Sequence, residues 1–214
     1  MQKLFNKLLI PVDFSGRSKK VIEKAVEIAT QYKCSLHLLH VAPPDYITWS
    51  GETYLADSIW LPDNKAELEF KLAGLCEIAD ESCGYTIATS YSVVKGSWDE
   101  SVIDFANAHS IDLILIGQTG PVLRKRKMLL NPDKIASKTN VPVITIPSNR
   151  NITKLYSIVV PVTDFLPVRK LMYGVYIAAN YNSTIKLLGI DNPETKNKMT
   201  YYMMKAHKLI SDNC

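Results

Sequence analysis

Short apolar segments alternate with segments of helical period through the first 148 residues, and this alternation constrains the fold more than any other feature. Residues 7–13 and 35–41 are compact apolar runs typical of buried strands. Residues 18–32 instead place Val, Ile, Ala and Tyr at helical spacing, and residues 63–83 repeat that period. Strands that alternate with helices predict a parallel sheet joined by right-handed crossovers.

The same rhythm continues toward residue 146. We predict a third strand over Tyr85–Val94, a fourth over Ile111–Ile116 and a fifth over Val141–Ile146. Ser97–Glu100 is a capping-box sequence that opens a helix between the third and fourth strands. Asn131-Pro132 predicts an N-cap followed by proline at the first position of the last helix. The predicted fold class is therefore α/β, with a doubly wound five-stranded parallel sheet.

A long connection over residues 42–62 separates the second strand from the second helix. It contains Pro43, Pro44, Tyr46, Trp49, Tyr54 and Trp60, which is too aromatic for a flexible linker. Two interpretations stay open. Either these side chains pack locally against the domain, or the segment folds over a pocket or a partner surface.

The sequence repeats part of itself after the fifth strand. Residues 9–12 (LIPV) align with residues 159–162 (VVPV) at an offset of 150. Residues 34–36 (CSL) align with residues 183–185 (STI) at an offset of 149, so one residue is deleted in between. A shared strand-helix-strand order over this length indicates a duplication.

The repeat predicts the domain organisation. We expect a complete domain over residues 1–148, a linker over 149–154 and a partial second copy of order β-α-β-α over 155–214. The sequence of the second part ends on the helix that follows its second strand. A fragment of this kind cannot cover both faces of a parallel sheet and would leave apolar surface exposed. We expect a shortened chain, a proteolytic product, or docking of the fragment against another surface.

Charge and cysteine content disfavour several classes of protein. Basic and acidic residues number 17 and 17 over residues 1–150 and 8 and 4 over residues 151–214, so the net charge of +4 lies in the second part and does not indicate a nucleic-acid partner. The four cysteines form no CxxC pair, which favours a reducing, cytoplasmic setting. The N-terminal residues run directly into the first predicted strand, so we expect no cleavable leader. No segment of the sequence approaches the ~20 apolar residues of a membrane span. We expect no membrane partner.

Five segments together carry a resemblance to a known family: KLLIPVDFS, HLLHVAPP, VVKGSWDESVIDFA, DLILIGQTG and VPVITIPS. In this order and spacing they resemble the universal stress protein (UspA-like) family over residues 3–148, and more weakly over residues 155–214. The resemblance implies the adenine nucleotide alpha hydrolase-like sheet of order 3-2-1-4-5. It also implies dimerisation through the fifth strand and, in one subgroup, ATP binding.

The ATP-binding subgroup has the pattern G-x2-G-x9-G-[ST], in which backbone amides approach the phosphates. Gly117-Gln-Thr-Gly120 matches the first glycine pair, although Thr119 replaces the basic residue that often precedes the second glycine. Asp13 and Val41 stand where the family contacts adenine, and Pro11 is grouped with them as a candidate contact.

The second half of this pattern departs from the subgroup. Leu130-Asn131 replaces Gly-Ser or Gly-Thr. A leucine there would crowd a phosphate and resist positive φ, whereas Asn131 can cap the following helix and offer one polar group. The basic segment Arg124–Lys127 either replaces part of the lost phosphate contacts or is a solvated loop. ATP therefore stays an open ligand, and no cofactor is certain.

The candidate residues also have plainer interpretations. Gly117 and Gly120 suit a tight turn without any ligand. Asp13 suits a carboxylate that organises the turn after the first strand. His37 and His40 have no neighbouring acidic or cysteine ligands, so we expect them to be structural and predict no metal.

The sequence shows no G-x-S-x-G, P-loop or G-x-G-x-x-G motif. We therefore predict a non-catalytic stress-response or regulatory protein that binds an adenine nucleotide weakly or not at all. The alternative is an ATP-binding or ATP-hydrolysing enzyme on the same fold. Such an enzyme needs a glycine-rich loop after the first strand, where Asp13–Arg17 has a single glycine. A third hypothesis is a purely structural dimer scaffold.

The fifth strand is the predicted dimer edge, formed by Val141, Val143, Ile144 and Ile146. An unpaired apolar edge favours pairing with another strand. We therefore predict a homodimer through this strand.

Overall fold

The computed structural model describes residues 3–42, 46–49, 54–57, 62–118, 130–147, 154–190 and 194–212. The chain divides into two compact units, Met1–Arg150 and Asn151–Cys214, which are called unit 1 and unit 2 below. No helix in the described ranges combines the length and apolar character needed to cross a membrane.

Unit 1 alternates strands and helices, as its apolar pattern predicts. Its strands are β1 Lys7–Pro11, β2 Ser35–Ala42, β3 Tyr46–Trp49, β4 Tyr54–Asp57, β5 Thr89–Lys95, β6 Leu113–Gln118 and β7 Val143–Pro147. Its helices are α1 Gly16–Tyr32, α2 Pro62–Ser82, α3 Trp98–Ala108 and α4 Pro132–Thr139.

Five of these strands form one parallel sheet in the order β5-β2-β1-β6-β7. Counted without β3 and β4, this is the order 3-2-1-4-5, so the predicted fold class is confirmed. The central strands β1 and β2 read as nearly continuous apolar runs because both of their faces are buried.

Side chains alternate between the two faces of this sheet. Leu9, Leu39 and Val41 form a buried cluster with residues of α3 and α4. Leu8 and Leu38 are also fully buried, and strand alternation places them on the opposite face. Helices α1 and α2 contact one another and the sheet, as α3 and α4 do, which gives the layered packing of a doubly wound domain.

Several strand boundaries differ from the predictions. The predicted fourth strand, Ile111–Ile116, is shifted to Leu113–Gln118 in β6. The predicted third strand begins at Tyr85, but β5 begins at Thr89, because the chain turns after α2 with positive φ at Gly84 and Tyr85. The predicted fifth strand begins at Val141, but β7 begins at Val143, so Val141 lies before the edge strand rather than on it. The amide of Val141 donates to the Thr139 hydroxyl at 3.1 Å, which keeps it in the turn that ends α4.

The connection between β2 and α2 contains a regular element that the sequence interpretation missed. Strands β3 and β4 pair antiparallel, with Tyr46 opposite Asp57 and Trp49 opposite Tyr54. The two interpretations of this connection concern the packing of side chains that lie outside the described part of the chain.

Unit 2 contains β8 Ser157–Val162, α5 Val168–Tyr181, β9 Thr184–Gly189 and α6 Lys196–Ser211, with β8 and β9 parallel. Its strand register follows that of unit 1. Pro11 pairs with Leu39 and Pro161 pairs with Leu188, which matches the offsets of 150 and 149 found in the sequence. That unit 2 is the first part of a second copy stays a prediction, as do the domain boundaries.

One face of the β8–β9 pair packs on helices. Val160 and Val162 are buried in a cluster with Leu171 and Ala206, which belong to α5 and α6. On the other face, Val159 and Leu188 are 54% and 53% exposed. Two helices therefore cover only one side of this short sheet within the described residues.

Candidate functional site

The parallel sheet of unit 1 opens between β1 and β6 at the carboxyl ends of the strands. The strand order reverses here, because β1 leads to β2 and β5 on one side while β6 leads to β7 on the other. Pairing of β1 with β6 ends at Leu9 and Ile114, whereas β1 continues to Pro11 and β6 to Gln118. By contrast, β1 stays paired with β2 as far as Leu39. In open α/β sheets a crevice of this kind is the usual position of a ligand.

Asp13 lies just beyond the end of β1 and organises the turn into α1. Its Oδ1 accepts hydrogen bonds from the Ser15 amide at 3.0 Å, the Ser15 hydroxyl at 2.5 Å and the Ser18 hydroxyl at 2.5 Å. The Asp13 amide donates in turn to the Ser18 hydroxyl at 3.0 Å. Ser15 is the N-cap of α1 but makes no side-chain cap, because its hydroxyl is engaged by Asp13. The turn-organising interpretation of Asp13 is thus confirmed.

Three rings cluster beside this turn. The Phe14 and His40 rings lie 4.6 Å apart, and the His40 and Trp98 rings lie 5.6 Å apart in an edge-to-face arrangement. Phe14 has a φ of 56°, a conformation that costs energy for a bulky residue and often marks a functional turn. The cluster brings aromatic surface to the carboxyl edge from the β1–α1 turn, β2 and the start of α3.

His40 is held in one tautomer. Its Nδ1 lies 2.7 Å from the Val12 carbonyl oxygen, which can only accept, so Nδ1 carries the proton. Burial lowers the pKa of His40, although the hydrogen bond to Val12 and the charge of Asp13 act in the opposite direction. His40 is therefore a neutral ring that ties β2 to the end of β1.

His37 is a structural residue on the face of β2 that packs against α3. Its ring nitrogens lie 2.7 Å from the Ser90 hydroxyl and 3.1 Å from the Ser92 hydroxyl, and the ring stacks on Phe105. The Ser90 hydroxyl donates to the Leu36 carbonyl, so Nδ1 of His37 must donate to Ser90 and Nε2 must accept from Ser92. These contacts occupy both nitrogens of the ring.

The N-terminus of α4 is capped by side chains rather than left open. Asn131 is the N-cap, and its Oδ1 accepts from the Lys134 amide at 3.1 Å, as the sequence predicts. The Asn131 amide itself donates to Asp99 Oδ1 at 3.0 Å. The Lys134 ammonium lies 2.6 Å from Glu100 and 3.6 Å from Asp99, which links the starts of α3 and α4.

The model of the universal stress protein family matches residues 4–147. The chain belongs to this family. Universal stress protein YxiE of Bacillus subtilis is 27% identical over 152 residues, which is 67% of this chain and 99% of that protein. Universal stress protein A homolog 1 of Coxiella burnetii is 26% identical over 54% of this chain and 78% of that protein.

Among solved structures, universal stress protein UspA from Lactobacillus plantarum is similar with a TM-score of 0.51 at 20% identity, covering 68% of this chain and 99% of that one. This likeness supports the fold of the universal stress protein domain. The matched length corresponds to one such domain.

The universal stress protein domain places several predicted site residues at one edge. Pro11 and Val41 are buried at the ends of β1 and β2, and Gly117 lies in β6 opposite Ile146 of β7. Asp13 and Asn131 follow at the turn into α1 and the start of α4. Thr119, Gly120 and Arg124–Lys127 lie outside the described residues.

Leu130 is half-buried and packs against the apolar cluster under α3 and α4. That its side chain would crowd a phosphate stays a prediction. The carboxylate of Asp99, which sequence reasoning passed over, also lies at this position of the universal stress protein domain, where it accepts a hydrogen bond from the Asn131 amide. Its place in a capping box was visible, but its contact with an amide 32 positions away was not.

Proposed function

We propose that unit 1 is a non-catalytic binding module of the universal stress protein family that holds an adenine nucleotide in the crevice between β1 and β6. The observation that carries this proposal is the early end of β1–β6 pairing at Leu9 and Ile114. The strands separate at the switch point of the sheet, and in open α/β sheets a ligand lies beyond the carboxyl ends of the strands at this point.

The groups around the crevice suit a nucleobase. Asp13 offers a carboxylate, and a carboxylate accepts hydrogen bonds from an exocyclic amino group. Aromatic rings of Phe14, His40 and Trp98 lie beside it and supply apolar surface. The family resemblance independently implies adenine contacts at Asp13 and Val41, so the chemistry and the family support the same position.

The hydroxyls nearest to the crevice support a binding role over a catalytic one. The Ser15 and Ser18 hydroxyls both donate to Asp13, and the Nδ1 proton of His40 is held by the Val12 carbonyl. A serine nucleophile needs a base that takes its proton, usually a histidine within hydrogen-bond reach. The Ser15 and Ser18 hydroxyls instead stabilise the turn after β1 through their hydrogen bonds to Asp13.

Isothermal titration calorimetry of the 214-residue chain with adenosine, AMP, ATP and GMP tests the proposal. We expect saturable binding of AMP with one site per chain and weaker binding of GMP. Asp13→Asn keeps an oxygen that accepts the three turn hydrogen bonds but removes the negative charge, so AMP affinity falls by about tenfold or more. Ser15→Ala, which removes one turn contact and leaves the Asp13 charge, is the matched control and changes affinity by less than about threefold.

The same protein is incubated with ATP and analysed for ADP. Intact ATP after hours is the expected result. Turnover that Asp13→Asn abolishes would favour the ATP-hydrolysing alternative. Absence of binding heat with every adenine ligand up to about 1 mM would contradict the proposed function itself.

A further inference from the structure

The start of α4 is already occupied by an anionic side chain of the protein, the carboxylate of Asp99. A helix N-terminus attracts phosphate because its first amides lack partners within the helix and carry partial positive charge. Here the Asn131 amide donates to Asp99 Oδ1 at 3.0 Å, and the Lys134 amide donates to Asn131 Oδ1 at 3.1 Å. Pro132, at the first helical position, has no N–H to offer. At the start of α4, three backbone positions that could bind a phosphate therefore either lack an N–H or already donate to a side chain of the protein.

The charges around this helix start act in the same direction. Asp99 and Glu100 lie in the first turn of α3, and Asp133 lies in the first turn of α4. The nearby Lys134 ammonium is shared between Glu100 at 2.6 Å and Asp99 at 3.6 Å. A polyphosphate approaching α4 would meet three carboxylates and a lysine that is already paired with two of them.

This helix start belongs to the same edge of the sheet as the crevice. α3 follows β5 and α4 follows β6, and helices that follow parallel strands begin at the carboxyl edge. A base held near Asp13 would direct its ribose and phosphates along this edge. The first phosphate would make few contacts with α4, whereas the second and third would approach the carboxylates at the start of this helix.

From this geometry we infer that Asp99 determines specificity in the proposed nucleotide crevice. Its carboxylate takes the place at the α4 N-terminus that terminal phosphates would otherwise occupy. The ligand class is therefore nucleosides and nucleoside monophosphates rather than triphosphates. The inference rests on the proposed nucleotide-binding function, and it adds which ligands the site accepts.

Calorimetry with adenosine, AMP and ATP on the wild type, Asp99→Ala and Glu100→Ala tests this role. Both substitutions remove one carboxylate from the same helical turn and one partner of Lys134, but only Asp99 touches the Asn131 amide. We expect the wild type to bind ATP no more than about threefold tighter than AMP. Asp99→Ala should tighten ATP by at least about tenfold and leave adenosine unchanged, while Glu100→Ala changes ATP affinity by less than about threefold.

A second probe works without any nucleoside. Tripolyphosphate is titrated into ¹⁵N-labelled protein, and the Asn131 amide is followed by NMR. We expect this resonance to stay in place in the wild type and in Glu100→Ala, and to shift saturably in Asp99→Ala.

The outcomes separate the two proposals. If no adenine ligand binds any variant, the proposed function fails, while the tripolyphosphate titration still reports on Asp99. The inference is overturned if the wild type binds ATP more than about tenfold tighter than AMP, which would assign phosphate recognition to another segment such as the basic residues Arg124–Lys127. It is also overturned if the Asn131 amide resonance of Asp99→Ala does not shift with tripolyphosphate. The same holds if Glu100→Ala increases ATP affinity as much as Asp99→Ala does.

Discussion

Two carboxylates organise the carboxyl edge of the unit 1 sheet: Asp13 holds the turn into α1, and Asp99 accepts a hydrogen bond from the start of α4. Asp13 was identified from the family pattern and from its place after a strand, and both signals are local in sequence. Asp99 was missed because its role depends on the approach of α3 to α4, which only the folded chain reveals. Phe14 gave no signal either, since a positive φ at a phenylalanine cannot be seen in a sequence.

His37 provides a prediction at the residue scale. Burial lowers its pKa from 6.5 to about 4, with smaller contributions from Lys7 and His109. Between these two pH values the unfolded chain binds more protons than the folded chain, so the free energy of unfolding rises with pH. The stabilisation from neutral His37 is fully present above pH 6.5. The shift corresponds to at most about 3 kcal/mol, which is lost as the pH falls from 6.5 to 4.

Urea unfolding at several pH values, followed by tryptophan fluorescence, measures this effect in unit 1, where all three tryptophans lie. His37→Phe keeps a ring for stacking on Phe105 but cannot titrate, so the dependence on pH should flatten to the part that His40 contributes. His109→Phe, which changes the other histidine that contacts Phe105, should keep most of the dependence because burial is the main cause. An unchanged slope in His37→Phe would contradict this account.

At the scale of elements, existence was more predictable than boundaries. The five strands of the sheet and four helices of unit 1 follow from apolar period, and the α4 cap follows from Asn131-Pro132. The start of β5 was placed too early because the apolar residues around Ile87 continue the strand pattern, whereas the chain actually turns at Gly84 and Tyr85. The β3–β4 ladder was missed because its short strands lack a clear alternating pattern.

The edge strand β7 gives a prediction at the same scale. It pairs with β6 on one side and is the last strand of the sheet. Val143 and Ile144 are half-buried on it, and Ile146 is buried. We expect a homodimer in which this strand pairs with β7 of a second copy. Light scattering at about 10 μM protein should therefore give about twice the mass of 24.0 kDa.

Ile144→Lys should shift the protein to a monomer, because it places like charges across the paired strands. Tyr91→Lys is the control, since Tyr91 is 39% exposed on β5, the opposite edge of the sheet. It should leave the dimer intact. A wild-type monomer, or a dimer that Tyr91→Lys breaks and Ile144→Lys does not, would count against β7 as the interface.

At the scale of the whole molecule, the two units differ in how far the comparisons with known proteins describe them: the family model matches residues 4–147, which lie in unit 1. Unit 1 carries the family match and the crevice, so we expect any nucleotide function to belong to it. The register of β8 with β9 follows that of β1 with β2 at the sequence offsets, which supports the predicted duplication. The offset could be predicted because similar strand segments recur along the sequence. The position of the crevice could not, because it depends on where two strands distant in sequence, β1 and β6, stop pairing.

A crystal structure of the protein soaked with AMP at about 1 mM tests most directly whether the crevice between β1 and β6 binds a nucleotide. We expect the base between the carboxyl ends of β1 and β6, within hydrogen-bond distance of Asp13 and Val41, with the Asn131 amide still bound to Asp99. AMP bound elsewhere on the chain, with the crevice between β1 and β6 empty, would contradict this expectation.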